Sequence, residues 1–464
     1  MSNQQFVHRF IPNSAPETKE RMLKYIGVSD AEELFSEIPK EIRFNGTLNI
    51  PQEPVSEFEV ERHVNNMLRK NITTEDYVSF LGAGCYNHYV PAICDVINSR
   101  PEFLTAYSGN EYVDLGRQQA LFETASMLGE MLDMDVVGAP VYDGVSAAGD
   151  AMIMAYRCTE RKRILVPELI GRERMETLRS YCSMMELETV ACDPLSGLIN
   201  LTDLKTRLSD NVACVYVDNP NYLGGIETKV QEISNLAHEA GALFVVGVDP
   251  ISLGVIKPPG QYGADIVVLD AQALGMHQNY GGAQVGYIAC RDRGELINVM
   301  PCWLYSVTRT VVEGELAYSW HALYDRMFYV IREEAQNFTG TSAGLWAITA
   351  GVYLSLMGSH GLEQLCYSIL YNTHYAMQSL ATIPGVNVNR LNAAPFKEFL
   401  VDFNKTGKSV AEINRQLLDY EIFGGKDISG EFPQYGESAL YCVTEVHTKG
   451  QIDKLISSLK EVLA

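Results

Sequence analysis

From residue 76 to about 330, short apolar runs alternate with segments of helical periodicity. The clearest strand-like runs are Arg163-Ile-Leu-Val-Pro167, Met185-Glu-Leu-Glu-Thr-Val190, Ala213-Cys-Val-Tyr-Val217, Leu243-Phe-Val-Val-Gly-Val248 and Ile266-Val-Val-Leu269. Helical segments such as Leu201 to Leu208 and Val230 to Ala240 lie between them. A strand that is apolar at successive positions has both faces buried. Helices placed between such strands cover both faces of a mostly parallel sheet. The pattern therefore predicts a large α/β domain over 76–330.

The two ends read differently. Residues 1–75 predict an arm with short helices. Pro16-Glu-Thr-Lys-Glu has helix-start chemistry with Ser14 as its cap, and Ser29-Asp-Ala-Glu-Glu repeats it until Ile38-Pro39 stops it. Pro51 and Pro54 mark a linker, and Glu57 to Lys70 reads as an amphipathic helix. Residues 331–385 predict connecting helices. Residues 386–464 alternate again and predict a small α+β domain, with strands over Gly385-Val-Asn-Val-Asn389, Phe399–Phe403 and Ala439–Val443. Its helices are expected over Val410–Leu418 and Thr448–Leu463.

Charge narrows the class. Lys and Arg number 36 against 58 Asp and Glu, a formal charge of −22. Nonspecific binding to nucleic acid or anionic membrane needs clustered positive charge, so neither is expected as a partner. The ten cysteines contain no Cys-x-x-Cys pair and sit mostly in apolar runs, as buried thiols of a reducing cytosol do. No zinc-ligand spacing is present, and no metal is expected. The start lacks an apolar signal core, and no apolar stretch approaches the ~20 residues that span a bilayer. The expectation is a soluble cytoplasmic protein.

Two stretches carry candidate chemistry. Ser79-Phe-Leu-Gly-Ala-Gly-Cys-Tyr-Asn-His-Tyr-Val-Pro91 sets Tyr86, His88 and Tyr89 beside Gly82 and Gly84, which allow tight turns and close approach. Alone, it also reads as a Gly-rich turn before a helix. The second is an ordered series: Tyr142-Asp-Gly-Val-Ser146, Asp218-Asn-Pro-Asn221, Val246-Gly-Val-Asp249 and Gly263-Ala-Asp-Ile-Val-Val-Leu-Asp270. Asp143, Gly144 and Ser146 open a helix whose N–H groups suit a phosphate. Asp249 ends a later strand, where a carboxylate can face a pyridinium nitrogen. This is the layout of the pyridoxal-phosphate-dependent transferase fold (fold type I, aspartate aminotransferase), with a seven-stranded type of sheet. A Schiff-base lysine should follow the last strand. None does: no lysine lies between Lys257 and Lys397, and Lys257 precedes the strand as a loop lysine.

The chain resembles the subunit-1 family of glycine dehydrogenase (decarboxylating), the two-chain form of the glycine cleavage system P-protein. The resemblance rests on His8-Arg-Phe-Ile-Pro12, Met22-Leu-Lys-Tyr-Ile-Gly27, Ile38-Pro-Lys-Glu-Ile-Arg43, Ser79 to Pro91, Ala271-Gln-Ala-Leu-Gly275, Val352 to Gly358 and Ala439 to Glu445, collinear over nearly the whole chain. It implies a division of labour. A lysine-bearing subunit 2 holds pyridoxal 5'-phosphate, in a heterodimer or a dimer of heterodimers. This chain is the degenerate copy that completes the shared site. The complex decarboxylates glycine and passes the aminomethyl group to the lipoyl arm of the H-protein. The cofactor is then expected on the partner and not covalently here. The candidates facing the shared site are Gly82, Gly84, Tyr86, His88, Tyr107 and Arg332. Asp143, Gly144, Ser146 and Asp249 are the candidates for a vestigial cofactor pocket, and no residue of this chain alone is expected to be catalytic.

The chain departs from the family pattern at 108–119 and 302–342, where Ser108-Gly-Asn-Glu-Tyr and Cys302-Trp-Leu-Tyr stand in place of the family's motifs. Two further readings therefore stay open: a divergent paralogue whose complex acts on another amino acid or amine, and a noncatalytic structural subunit.

Overall fold

The computed structural model describes residues 7, 9–44, 46–50, 55–100, 103, 111–321, 338–340, 343–388 and 390–464. Tyr107 and Arg332 lie outside them. The chain divides into two units, Met1–Asn71 and Ile72–Ala464.

In the first unit, the helix Pro16–Ile26 starts with proline at its first turn, where the missing N–H costs nothing, and ends on Gly27 at φ 89°. Its N-cap is Ala15, which corrects the assignment of Ser14: that hydroxyl donates instead to the Ile11 carbonyl at 2.6 Å. Asp30 caps a short 3-10 turn over Ala31–Phe35. The helix Glu57–Leu68 carries a capping box in which Ser56 and Glu59 satisfy each other's backbone N–H. None of these helices contains a buried residue.

The second unit is built on a seven-stranded sheet. Its strands are β1 (Val136–Val137), β2 (Arg163–Pro167), β3 (Glu186–Val190), β4 (Val212–Asn219), β5 (Leu243–Val248), β6 (Ile266–Asp270) and β7 (Gly286–Cys290). Their order is β1-β7-β6-β5-β4-β2-β3. The β3-β2, β2-β4, β4-β5 and β5-β6 pairs are parallel; β7 runs antiparallel to both neighbours.

The apolar runs are explained by two cores. Leu165, Val215, Val217, Phe244 and Val246 point to one face, where the helices Glu111–Leu132 and Gly344–Leu380 pack. Ile164, Val166, Cys214, Tyr216 and Val245 point to the other, against the helices Gly144–Thr159 and Arg172–Tyr181. Burying one such side chain contributes about 1.5–3 kcal/mol, so neither face tolerates solvent.

The helix Gly344–Leu380 is interrupted at Gly358 and leads into a second, four-stranded antiparallel sheet. This comprises β8 (Asn387–Val388), β9 (Glu398–Asp402), β10 (Lys426–Asp427) and β11 (Ser438–Cys442), in the order β8-β9-β11-β10. The helices Val410–Leu417 and Lys449–Leu463 cover it through Ile413, Leu417, Leu455 and Leu459. Val78 and Ser79 pair in parallel with Ile422 and Phe423, which brings the following Gly-rich loop to this sheet. Among the described residues, no helix is long and apolar enough to cross a membrane.

Candidate active site

β4, β5 and β6 run parallel, so Asp218, Asp249 and Asp270 all emerge at one end of the sheet. The carboxyl ends of parallel strands are where ligands bind in open α/β folds. A cavity of about 510 Å³ opens there. Gly82, Gly84, Tyr86, Gly144, Asp249 and Asp270 line it on one side, and Lys397 and Glu398 at the start of β9 on another.

The floor is the N-terminus of the helix Gly144–Thr159. Asp143 caps it, accepting from Ser146 N at 2.6 Å, while the Ser146 hydroxyl reaches back to the Asp143 backbone N–H. The Gly144 N–H donates to Asp270 Oδ2 at 2.8 Å. A Cβ on Gly144 would stand 2.9 Å from the Asp270 Cβ, so only glycine lets strand and helix approach this closely. Gln272 N and Val285 N donate to the other Asp270 oxygen. Burial pushes the Asp270 carboxyl up to about 6 even though these three N–H groups pull it down.

The wall comes from the Gly-rich loop and β9. Ala83 N donates to Glu398 Oε1 at 2.6 Å, and the Tyr86 hydroxyl to Glu398 Oε2 at 2.9 Å. A Cβ on Gly82 would meet Glu398 Oε1 at 2.5 Å, and Gly84 turns the chain at φ 110°. The Tyr86 backbone is pinned both ways by the Gln272 amide, which accepts from Tyr86 N at 2.9 Å and donates to Tyr86 O at 3.0 Å. Burial raises the Glu398 carboxyl above the ordinary range.

On the wall side of the cavity lies an ion pair. Lys397 is 2% exposed, and its Nζ stands 2.6 Å from Asp249 Oδ2. The same ammonium is 3.2 Å from His88 Nε2 and 3.4 Å from the Tyr86 ring centroid. An ammonium has only donors, so His88 Nε2 accepts and the imidazole proton sits on Nδ1. There it is donated to Glu445 Oε2 at 2.8 Å. Glu445 Oε1 accepts from Tyr89 N at 2.7 Å. A hydrogen-bonded relay thus runs Asp249–Lys397–His88–Glu445.

The structure brings together most of the residues singled out from the sequence. Gly82, Gly84, Tyr86, Gly144 and Asp249 line the cavity; His88 stands behind Lys397; Asp143 and Ser146 form the cap beneath. Lys397, Glu398 and Asp270 went unmarked as site residues. The signal for the first two was present: a Lys-Glu pair interrupts the apolar run Pro395-Phe-Lys-Glu-Phe-Leu-Val401. Charges within a buried strand need partners of their own.

Pyridoxal phosphate does not fit this donor set. Carboxylates already take two of the helix N–H groups that could hold a phosphate, those of Gly144 and Ser146, and a phosphate dianion there would face both Asp143 and Asp270. Asp249 already has its cation. The cavity's two lysines are committed, Lys397 to Asp249 and Lys426 to Glu431 at 2.8 Å. The strand that should lead to a Schiff-base amine continues instead into Ala271 and the buried Gln272. Among the described residues, no group of three or more His, Cys, Asp or Glu is placed to hold a metal ion.

The family model described as "Glycine cleavage system P-protein" matches residues 8–459. A Staphylothermus marinus protein named "Probable glycine dehydrogenase (decarboxylating) subunit 1" is 38% identical over 465 residues, covering 98% of each chain. A Pyrococcus furiosus protein of the same name is 40% identical over 458 residues, covering 98% of this chain and 99% of that one. Among solved structures, an inhibitor-bound glycine decarboxylase (P-protein) of the glycine cleavage system superposes with a TM-score of 0.85 at 31% identity, covering 100% of both chains. A sphingosine-1-phosphate lyase from Burkholderia pseudomallei and a NifS-like protein match with TM-scores of 0.64 and 0.63 at 16% and 14% identity, covering 92% and 83% of this chain and 94% and 99% of theirs, and show the fold alone. That fold is type I of the pyridoxal-phosphate-dependent enzymes, as the strand and motif order predicts.

Proposed function

The chain belongs to the glycine cleavage system P-protein family, and from that premise we propose that it is the cofactor-free subunit of a two-chain glycine dehydrogenase (decarboxylating). The partner is a homologous, lysine-bearing subunit 2 that holds pyridoxal phosphate. Together they decarboxylate glycine and transfer the aminomethyl group to the lipoyl arm of the H-protein. The observation that carries this reading is the ion pair of Lys397 with Asp249, which occupies the place where the cofactor ring would need a free carboxylate. The names of relatives aligned end to end support the two-subunit reading.

The chemistry the cofactor supplies, accepting the electrons left by loss of the carboxylate, then belongs to the partner. This chain supplies shape and charge around it. The Gly82–Tyr89 loop is held from both sides, by Gln272 and Glu398 through Tyr86 and by Glu445 through His88 and Tyr89. A loop tied this way presents a rigid edge to a neighbouring subunit. The second subunit's seat is the apolar groove lined by Tyr89, Pro91, Tyr353 and Met357. Tyr89 is 66% exposed, and Ile93 and Val96 nearby in sequence are exposed as well. Glu445 belongs both to this groove and to the relay.

Co-expression with a lysine-bearing homologue from the same genome tests the reading. The two chains are expected to co-purify in equal amounts, with cofactor absorbance and glycine-dependent release of carbon dioxide in the presence of lipoylated H-protein. The chain alone is expected to be colourless and inactive; decarboxylation by the isolated chain would overturn the proposal. The departures at 108–119 and 302–342 favour a second reading, a pair that prefers another amino acid or amine. Turnover of that amine by the pair, with little turnover of glycine, would select it.

A further inference from the structure

The surroundings of the Lys397 ammonium make a complete cation site, and they come from two separate parts of the chain, the end of β5 and the Gly82–Tyr89 loop. Asp249, at the end of β5, supplies a carboxylate at 2.6 Å. His88 supplies an unprotonated imidazole nitrogen at 3.2 Å, and Tyr86 an aromatic face at 3.4 Å from its centroid. These are three chemically distinct kinds of cation partner around one ammonium. Each member is itself fixed. Asp249 Oδ1 accepts from Ile251 N at 3.1 Å, His88 is held by Glu445, and Tyr86 by Gln272 and Glu398.

A cage preorganised in this way does not depend on the tether of the cation that fills it. We infer that Asp249, His88 and Tyr86 form a binding site for a primary alkylammonium ion, which in this chain is filled by its own Lys397 side chain. Lys397 thus acts as a built-in ligand. It neutralises the one carboxylate that the fold otherwise leaves to a cationic ring, and it closes that end of the cavity without any cofactor. The inference stands on the geometry of the cage, so it holds whatever substrate the two-chain enzyme acts on.

Removing the tether tests it. Lys397→Ala keeps the β-carbon and deletes the equivalent of n-propylammonium. The full chain carrying Lys397→Ala is expected to melt several degrees below the parent. Added n-propylammonium chloride should recover most of that loss in the variant and leave the parent unchanged. Neither 1-propanol nor sodium chloride at equal concentration should do so. In Lys397→Ala/Asp249→Asn the amine effect should vanish, because the carboxylate is gone. Parent-like melting of Lys397→Ala would overturn the inference, as would an equal amine response in the single and double variants. If Lys397→Ala yields no folded protein, the neutral pair Lys397→Met/Asp249→Asn decides. Recovery of a cooperative transition supports the cage, since the isolated buried charge is then the fault; continued failure to fold overturns it.

Discussion

The floor of the cavity and its wall handle negative charge in opposite ways. On the floor, Asp143 and Asp270 are satisfied by backbone N–H groups of the helix start and its neighbouring turns. No cation is needed, because the donors belong to the helix terminus and carry partial positive charge. On the wall, Asp249 is satisfied by a side chain delivered from β9, and Glu398 by a tyrosine hydroxyl and one loop N–H. The cap half of the floor is therefore a local device, complete once the turn at Asp143 and its helix have formed, while the Asp270 half reaches across 126 positions to Gly144. The wall is a long-range device and exists only when the small sheet has docked on the large one. In this fold of the pyridoxal-phosphate-dependent enzymes, the helix N-terminus meets its own cap and a carboxylate of the large sheet, whereas Asp249 meets a lysine from beside the small sheet.

The largest break is expected at the wall. Glu398→Ala removes the acceptor of two half-buried donors, Ala83 N and the Tyr86 hydroxyl. Each unsatisfied donor costs about 1–3 kcal/mol, so the variant should lose about 4 kcal/mol of unfolding free energy in denaturant titration. Glu398→Gln keeps one acceptor oxygen and should lose about half as much. If the two variants lose the same small amount, the Gly82–Tyr86 loop is held by something other than Glu398.

The same contrast decides what could be read from the sequence. The cap of the floor was legible because its parts are neighbours: Tyr142-Asp-Gly-Val-Ser146 announces a capped helix start. The strand boundaries were legible for the same reason; Arg163–Pro167 and Leu243–Val248 agree residue for residue with the structure. The wall was not. Lys397 meets His88 across 309 positions, and Glu398 meets Tyr86 across 312. Local periodicity holds no information about which distant segment supplies a counter-charge. Tyr86 and His88 were marked for their place beside a Gly-rich turn, while their partners sit in an apolar strand that reads as structural. Asp270 was in view as part of a strand-end series; its role as the carboxylate that fills a helix N-terminus needs the tertiary contact with Gly144.

The second test sharpens the floor's side through pH. Burial lifts the Asp270 carboxyl to about 6, against an ordinary value near 3.9 in an unfolded chain. Between those values the folded state holds more protons than the unfolded one, so this residue makes stability fall as pH rises from about 4 to about 6. The cost is fully present above that window and absent below it. Asp270→Asn removes the titration. The stability of the parent minus that of the variant should fall by on the order of 3 kcal/mol across the window, read from unfolding curves at each pH. A difference that is flat with pH would mean that Asp270 ionises at its ordinary value and that its three N–H donors offset its burial.

A smaller effect separates close packing from hydrogen bonding on the same floor. Gly144→Ala places a methyl 2.9 Å from both the Cβ and the N of Asp270. The helix start must move off β6, at a cost of about 2 kcal/mol for overpacking. Gly144 has no positive φ to protect, so the loss reports proximity alone. The variant should therefore also bring the Asp270 carboxyl back toward its ordinary value, by loosening its burial. Unchanged stability would mean that the helix slides without cost and that the floor is softer than the wall.

The smallest effect tests whether the cap is as local as its geometry. Asp143→Ala deletes a helix N-cap whose side chain accepts from the Ser146 N–H, three positions on in the first turn of the same helix. Such a cap contributes about 1 kcal/mol. Being local, it should behave additively with changes at the wall. Asp143→Ala combined with Glu398→Ala should lose the sum of the two single losses, to within about 0.5 kcal/mol. Glu398→Ala combined with a change at Gln272, which holds the same Tyr86, should not be additive. Strong coupling between Asp143 and Glu398 would show that forming the cap and docking the wall are one event, and the division between a local cap and a distant wall would then be wrong.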